Sequence, residues 1–313
     1  MYDSIIIGGG PAGLAAAINL ASEGIKVVLI DSKEKIGGQA AQSSKIENYP
    51  GFPGGISGQD LTNLFKKQAL DFGVEIVHST VATYFRKYEN CVELSTNSEK
   101  MSRIRTKSLI LALGLSYRKL QASGADFFIG RGVYYGETPL NKKNVCIVGG
   151  GNSAGQACLH LTANGAKVNL IIRASSFEAG GMSHYLSERI IKDPNIEVYF
   201  NCEVEQVFAE NVIESIQVRS NDLLISKDPI FHLQCDALSV FIGASPKTHW
   251  LQGLIDLNEK GYILTSDGFK TSMERVFVCG DVREGSIKRV ASAVGEGTVV
   301  CQQVKSFLRS LEG

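Results

Sequence analysis

One supersecondary unit occurs twice in this chain of 313 residues, and it constrains the fold more than any other feature. The first copy, "SIIIGGGPAGLAAAINLASEGIKVVLID", is a short apolar run, three glycines, an alanine-rich helical stretch, a glycine stop and a second apolar run. The second copy, "NVCIVGGGNSAGQACLHLTANGAKVNLIIR", repeats that order at nearly the same length. Uninterrupted apolar runs, as opposed to alternating ones, are what strands buried on both faces require, so each copy reads as βαβ in a parallel sheet. Each half also closes on an apolar strand that runs into glycine, "SLILALG" in one and "ALSVFIG" in the other.

The glycine spacing adds a chemical constraint. In "GGGPAG", Gly8 permits a tight turn and Gly10 lets backbone approach a bound pyrophosphate, while Gly13 lets the helix pack on the strand. Pro11 and Ala12 open that helix, whose free N–H groups and positive end favour an anion. Asp31 ends the second strand about twenty residues on, where a carboxylate can accept from ribose hydroxyls, and Ser32 follows it. In "GGGNSA", Gly149, Gly151, Asn152, Ser153 and Ala154 have the same context. Arg173 closes the second strand there, before neutral residues and Glu178. One arginine and one glutamate do not choose between NADH and NADPH.

The rest of the chain fits around these units. "SGQDLTNLFKKQALDFG" reads as an amphipathic helix with Leu61, Leu64, Phe65 and Phe72 on one stripe. Three alternating runs between Thr80 and Thr106, with "YEN" and "TNSEK" as turns, read as a β-meander. A final strand, a Gly280–Asp281 turn and a long helix starting near Arg289 close the chain. The expected fold is α/β: two Rossmann-like dinucleotide-binding domains, three-layer with a parallel sheet plus β-meander, the second inserted in the first. The boundaries read 1–117 with 245–313 for one domain and 118–244 for the other.

Lysine plus arginine equals aspartate plus glutamate at 32 each, which gives no support for nucleic acid or an anionic membrane as partner. No apolar run reaches the roughly 18 residues of a membrane span. The opening "MYDSIIIGGG" enters a strand without a basic stretch, so a cytoplasmic location is expected. The seven cysteines, Cys91, Cys146, Cys158, Cys202, Cys235, Cys279 and Cys301, are dispersed, and none stands at CxxC spacing from another. That excludes a disulfide framework and a zinc site as readings, and no metal is expected.

Taken together, "GGGPAGLAAA", "GGQAAQSSKIENYPGFPGGISG", "ILALG", "GRGV", "GGGNSAGQA", "FIGASP" and "VFVCGDV…KRVASAVGEG" make the chain resemble the low-molecular-weight thioredoxin reductases nearly end to end. The resemblance implies FAD in the discontinuous domain and a nicotinamide dinucleotide, NADH or NADPH, in the inserted one. It further implies FAD contacts at Gly37, Gly38, Gln39, Asn48, Val81, Ala112, Gly114, Gly280, Asp281, Arg289, Val290 and Ala291. Asp281 would hold the ribityl chain, and Val290 and Ala291 would lie beside the isoalloxazine. Gly243, in "FIGASP", would join the second dinucleotide site. A homodimer is also implied.

Two departures stand out. The family's redox-active CxxC falls on Gly136-Glu137-Thr138-Pro139, which holds no cysteine, and of its basic phosphate-binding motif only Arg173 is retained. A branch with "YY" before small residues and with "MSxYL", here Met182 to Leu186, is the nearer likeness. On this basis the expected function is electron transfer from NAD(P)H through FAD to a non-thiol or unidentified acceptor, small molecule or redox protein. A flavin-binding module without turnover and a ferredoxin or flavodoxin reductase are the alternatives. Tyr135 and Glu137 are candidates for gating or proton relay, against a packing role for the tyrosines.

Overall fold

The computed structural model describes residues 1–43, 46, 48–136, 140–221 and 229–311. In chain order the elements are β1 (Tyr2–Ile7), α1 (Pro11–Ser22), β2 (Val27–Ile30), α2 (Gly58–Asp71), β3 (Glu75–Val77), β4 (Ala82–Lys87), β5 (Val92–Thr96), β6 (Arg103–Leu111) and β7 (Ser116–Tyr117). Then follow β8 (Val133–Tyr135), β9 (Asn144–Val148), α3 (Asn152–Ala163), β10 (Lys167–Ile171), α4 (Phe177–Gly180), α5 (His184–Lys192) and β11 (Ile196–Tyr199). β12 (Cys202–Ala209), β13 (Ile213–Ser220), β14 (Ile230–Gln234), β15 (Ala237–Val240), β16 (Ala244–Ser245), β17 (Val276–Val278) and α6 (Val290–Ser310) complete the chain. Contacts divide it into two compact units, Met1–Ser116 with Ser245–Gly313, and Tyr117–Ala244.

In the first unit the strands run β3-β2-β1-β6-β5-β4, with β17 also on β6. The pairs β3·β2, β2·β1, β1·β6 and β17·β6 are parallel, and the β4·β5 and β5·β6 pairs are antiparallel. The period of two sorts side chains onto two faces. Ile6, Leu29, Ile110 and Phe277 point to one side, where α1 and α6 supply Leu14, Leu20, Val300 and Val304. Ile5, Ile7, Val28, Ile30, Leu109 and Leu111 point to the other, against Phe85, Leu94, Leu251 and Ile263. This is the layered α/β arrangement expected from the first copy of the repeat. The meander is present, but its third run and "SLIL" are one continuous strand, β6. The N-terminal part of β6 pairs with β5, and the C-terminal part pairs with β1 and β17.

The stripe expected on α2 is only partly buried. Leu61 is fully buried, but Leu64 and Phe72 are about half exposed, and the helix seats Gly58, Thr62 and Ala69 instead. Its start follows the capping rule, with Ser57 Oγ accepting from the Asp60 N–H at 3.0 Å.

In the second unit β11-β10-β9-β15-β8 form a parallel sheet, and β12, β13 and β14 form an antiparallel one. β8 is the finding of interest. Val133–Tyr135 reads in sequence as part of a connector, yet it is the edge strand beside β15. A three-residue strand has no period of its own to detect, and its partner lies about a hundred residues later.

Candidate functional site

The first glycine loop joins β1 to α1. Gly8 has φ 109°, and a Cβ there would lie 2.2 Å from the Ala112 carbonyl oxygen at the end of β6. A Cβ on Gly13 would lie 1.9 Å from the Gly8 carbonyl oxygen. Both positions therefore demand glycine, the first for conformation and space, the second for space alone. Gly10 is the N-cap of α1 without a side-chain partner, and Pro11 takes the first helical position, where no N–H is required. Ala12 is buried beneath this turn.

Asp31 stands at the end of β2, as its sequence distance from the loop suggested. Its Oδ2 accepts the Gly9 N–H at 2.6 Å and its Oδ1 accepts the Lys33 N–H at 2.7 Å. The carboxylate thus braces the loop, and each oxygen retains a further lone pair for a ligand. Ser32, beside it, is exposed.

The segment after β2 folds back onto the loop. The Gly37 N–H donates to the Gly9 carbonyl at 2.8 Å, and a Cβ on Gly38, φ 62°, would lie 3.0 Å from the Gly10 Cα. Gln39 Nε2 donates to the Leu115 carbonyl at 3.0 Å, while its Oε1 is buried without a partner among the described residues. Gly114, φ 59°, lies between Leu115 and the end of β6. Asn48 is exposed, and the exposed Val81 donates its N–H to Asn97 Oδ1 at 2.7 Å. Ala112 is buried under Gly8.

The Gly280–Asp281 turn follows β17, with Gly280 at φ 77°. Asp281 Oδ1 is buried and has no hydrogen-bond partner among the described residues. Burial, with the nearby Glu296 charge, raises the Asp281 carboxyl above its ordinary range, and Lys288 acts in the opposite sense. Arg289 caps α6 in extended conformation, and Val290 and Ala291 form its first turn, as read from sequence.

The second loop repeats this local construction. Gly149, φ 148°, would place a Cβ 2.5 Å from the Phe241 carbonyl oxygen, and Gly151 is the N-cap of α3. Ala154 is fully buried and Ser153 exposed. Asn152 Oδ1 accepts the Ser183 N–H at 2.7 Å, which ties the "MSHYL" segment to the start of α3, a link no sequence spacing signals. Gly243, φ 90°, accepts on its carbonyl from the Arg118 N–H at 2.9 Å. The Arg173 side chain is 83% exposed and 3.8 Å from Glu203, a pair too open to water to hold the guanidinium firmly.

Of the connector residues, Tyr135 packs on the second unit's core, and its hydroxyl accepts the Leu120 N–H at 3.0 Å. Tyr134 packs on the opposite face of the same sheet. Glu137 lies outside the described residues. Six cysteines are buried and Cys91 is partly exposed. Cys146 on β9 lies near Cys235, a proximity that dispersed positions in sequence do not announce. That proximity and burial push the Cys146 thiol well above its ordinary value. Among the described residues no helix is long and apolar enough to cross a membrane.

The comparisons with known proteins span the whole chain. Residues 2–297 match the pyridine nucleotide-disulphide oxidoreductase family. The thioredoxin reductase of Treponema pallidum is 34% identical over 318 residues, covering 99% of this chain and 98% of that protein. The thioredoxin reductase of Bacillus subtilis is 30% identical over 316 residues, covering 100% and 96%. The crystal structure of Lactococcus lactis thioredoxin reductase in its FR conformation gives a TM-score of 0.82 at 26% identity, covering 99% of this chain and 100% of that one.

These likenesses overturn the expected non-thiol acceptor, and its alternatives with it. That expectation rested on four residues, Gly136 to Pro139, whereas the likeness to thioredoxin reductases runs over the full length. The lack of CxxC spacing also does not keep sulfurs apart in space, as Cys146 and Cys235 demonstrate. The family's cofactors are FAD and a nicotinamide dinucleotide. Two glycine loops of one construction, a braced carboxylate at the first and an end-to-end match place this chain in the pyridine nucleotide-disulphide oxidoreductase family.

Proposed function

We propose that this chain is an NAD(P)H-dependent FAD enzyme whose electrons end on the disulfide of a thioredoxin-type redox protein. The observation that carries the reading is the full-length likeness to thioredoxin reductases, at 30–34% identity. The residues of the first unit fit FAD. Two buried acceptors without partners among the described residues, Asp281 Oδ1 and Gln39 Oε1, need donors, and a polyhydroxylated ligand offers them. The close approach of Gly10 and Gly38 leaves backbone, not side chains, facing the loop. When bound, FAD supplies two-electron acceptance from a nicotinamide hydride and onward delivery.

The chain's own part in this reading is positioning. N–H groups at the start of α1 take the pyrophosphate, Asp31 the ribose, and Asp281 the ribityl hydroxyls. Ser32, Asn48, Val81, Ala112, Gly114, Gly280, Arg289, Val290 and Ala291 complete that site. Gly149, Gly151, Asn152, Ser153, Ala154, Arg173 and Gly243 take the nicotinamide dinucleotide. The α6 N-terminus directs a positive partial charge at its ligand. Reduction of one disulfide consumes two electrons and two protons and yields two thiols. Positions 136–139 hold no cysteine, which supports reading this chain as one of a branch without the family's CxxC. A cytoplasmic homodimer completes the reading.

The test is anaerobic mixing of the holoprotein with NADH and, separately, NADPH, followed by oxidised thioredoxin. Loss of the flavin's visible absorbance with one nucleotide, then its return with matching appearance of thioredoxin thiols, is expected. Bleaching that thioredoxin disulfide never relieves would refute the acceptor, and no bleaching with either nucleotide would refute the whole reading.

A further inference from the structure

Glu296, on the second turn of α6, has both carboxylate oxygens engaged. Oε2 accepts the Gly280 N–H at 2.8 Å and Arg283 Nε at 3.1 Å, and Oε1 accepts Arg283 Nη2 at 2.7 Å. The two side chains are only 19% and 11% exposed. The Arg283 guanidinium also lies over the Phe269 ring, 5.2 Å from its centroid, and donates to the Glu284 carbonyl at 2.8 Å. Glu296 therefore grips both ends of the turn in whose interior Asp281 stands.

That turn has its own closure, the Arg283 N–H donating to the Gly280 carbonyl at 2.9 Å. The clamp is thus not required to make a turn. It also places a second carboxylate beside one that is already buried and short of partners, an arrangement that costs stability. By holding the Gly280 N–H and the Arg283 guanidinium, the clamp fixes the chain on either side of Asp281. We propose that Glu296 is a positioning residue of the flavin site, aiming the Asp281 carboxylate at the ribityl chain through the Gly280 amide and Arg283. The inference rests on the assignment of FAD to Asp281 and is independent of the electron acceptor.

The experiment compares holoprotein carrying Asp281→Ala, Glu296→Ala and Glu296→Gln. FAD release on dilution, the visible circular dichroism of the bound flavin and the melting temperature are measured. Asp281→Ala is expected to weaken FAD binding at least about tenfold, the scale of one lost charge-assisted hydrogen bond. Glu296→Ala should weaken it about as much and alter the flavin's dichroism. Glu296→Gln retains an oxygen for the Gly280 N–H and should recover affinity to within about threefold, while melting as low as Glu296→Ala because both lose the ion pair. If Glu296→Ala does not fold, Arg283→Met, which keeps the Gly280 bond but frees the carboxylate to rotate, should alter the dichroism instead.

Glu296→Ala with wild-type affinity and dichroism would overturn the inference. So would Glu296→Gln binding as weakly as the alanine variant, or Arg283→Met with unchanged dichroism. Wild-type affinity in Asp281→Ala would overturn the Asp281 assignment, and the inference with it. Thioredoxin turnover enters none of these readouts, so a wrong acceptor leaves them intact.

Discussion

Gly13→Ala is the most direct test of the first glycine loop. The backbone at Gly13 is helical, so alanine meets no conformational penalty and gains about 1 kcal/mol of helix propensity. Space is the obstacle. The added Cβ would lie 1.9 Å from the Gly8 carbonyl oxygen, 3.1 Å from its carbon and 3.3 Å from the Ala112 Cβ. Carbon and oxygen pack no closer than about 3.3 Å, so the start of α1 must lift from β1 by more than about 1 Å. Both atoms of the closest contact are fixed by backbone, which rules out relief by a rotamer change. Overpacking of this kind costs about 3 kcal/mol at the upper end of its usual range, leaving a net loss of about 2 kcal/mol.

For a unit of this size that is a fall of about 4–8 °C in melting temperature. The same displacement carries the α1 N-terminus away from the proposed pyrophosphate position, so FAD affinity should fall by at least about tenfold, or about 1.4 kcal/mol. Gly24→Ala is the control. It meets nothing within 4 Å but sits at φ 77°, so it costs about 1–2 kcal/mol of backbone strain and should leave FAD affinity unchanged. The assay is a thermal melt of each holoprotein followed by circular dichroism and by flavin fluorescence. A Gly13→Ala protein that melts within about 1 °C of wild type and keeps its FAD would refute the argument, since no strain of that size would then exist.

Three further outcomes are expected. Gly149→Ala, which forces a Cβ to 2.5 Å from the Phe241 carbonyl at φ 148°, should keep FAD but raise the KM for NAD(P)H in stopped-flow reduction. A thiol reagent on native protein should titrate Cys91 first, and Cys91→Ser should abolish the fast phase. The buried thiols, with Cys146 and Cys279 held well above their ordinary values and Cys301 raised to about 12, should react only on unfolding. In flavin-free protein the raised Asp281 carboxyl keeps a proton in the folded chain that the unfolded chain releases. Stability should therefore fall as pH rises from the ordinary carboxyl range through the raised value, and Asp281→Asn should flatten that slope in urea melts.

The parts of this protein that are legible in sequence are those whose determinants are neighbours in the chain. β1–α1–β2 and β9–α3–β10 announce themselves because strand, glycines, helix and second strand are contiguous, and Asp31 is found by counting from its loop. α6 begins where it was read, after Arg289. Determinants that lie across the fold escape. β8 exists because β15 presents an edge to it, and Leu64 and Phe72 stay exposed because no element among the described residues covers that side of α2. Cys146 and Cys235, like Glu296 and Gly280, meet through topology, with no local pattern to mark them. The electron acceptor escapes for the same reason. A missing motif of four residues is a local signal, and it was set against a likeness distributed over 313 residues, each contributing little alone. The site is distributed in the same way. Gly8 depends on Ala112, Gly9 on Asp31, and Gly280 on Glu296, so each short motif owes its shape to a residue outside it. Substitutions at those outside partners should therefore disturb the flavin as strongly as substitutions in the motifs themselves.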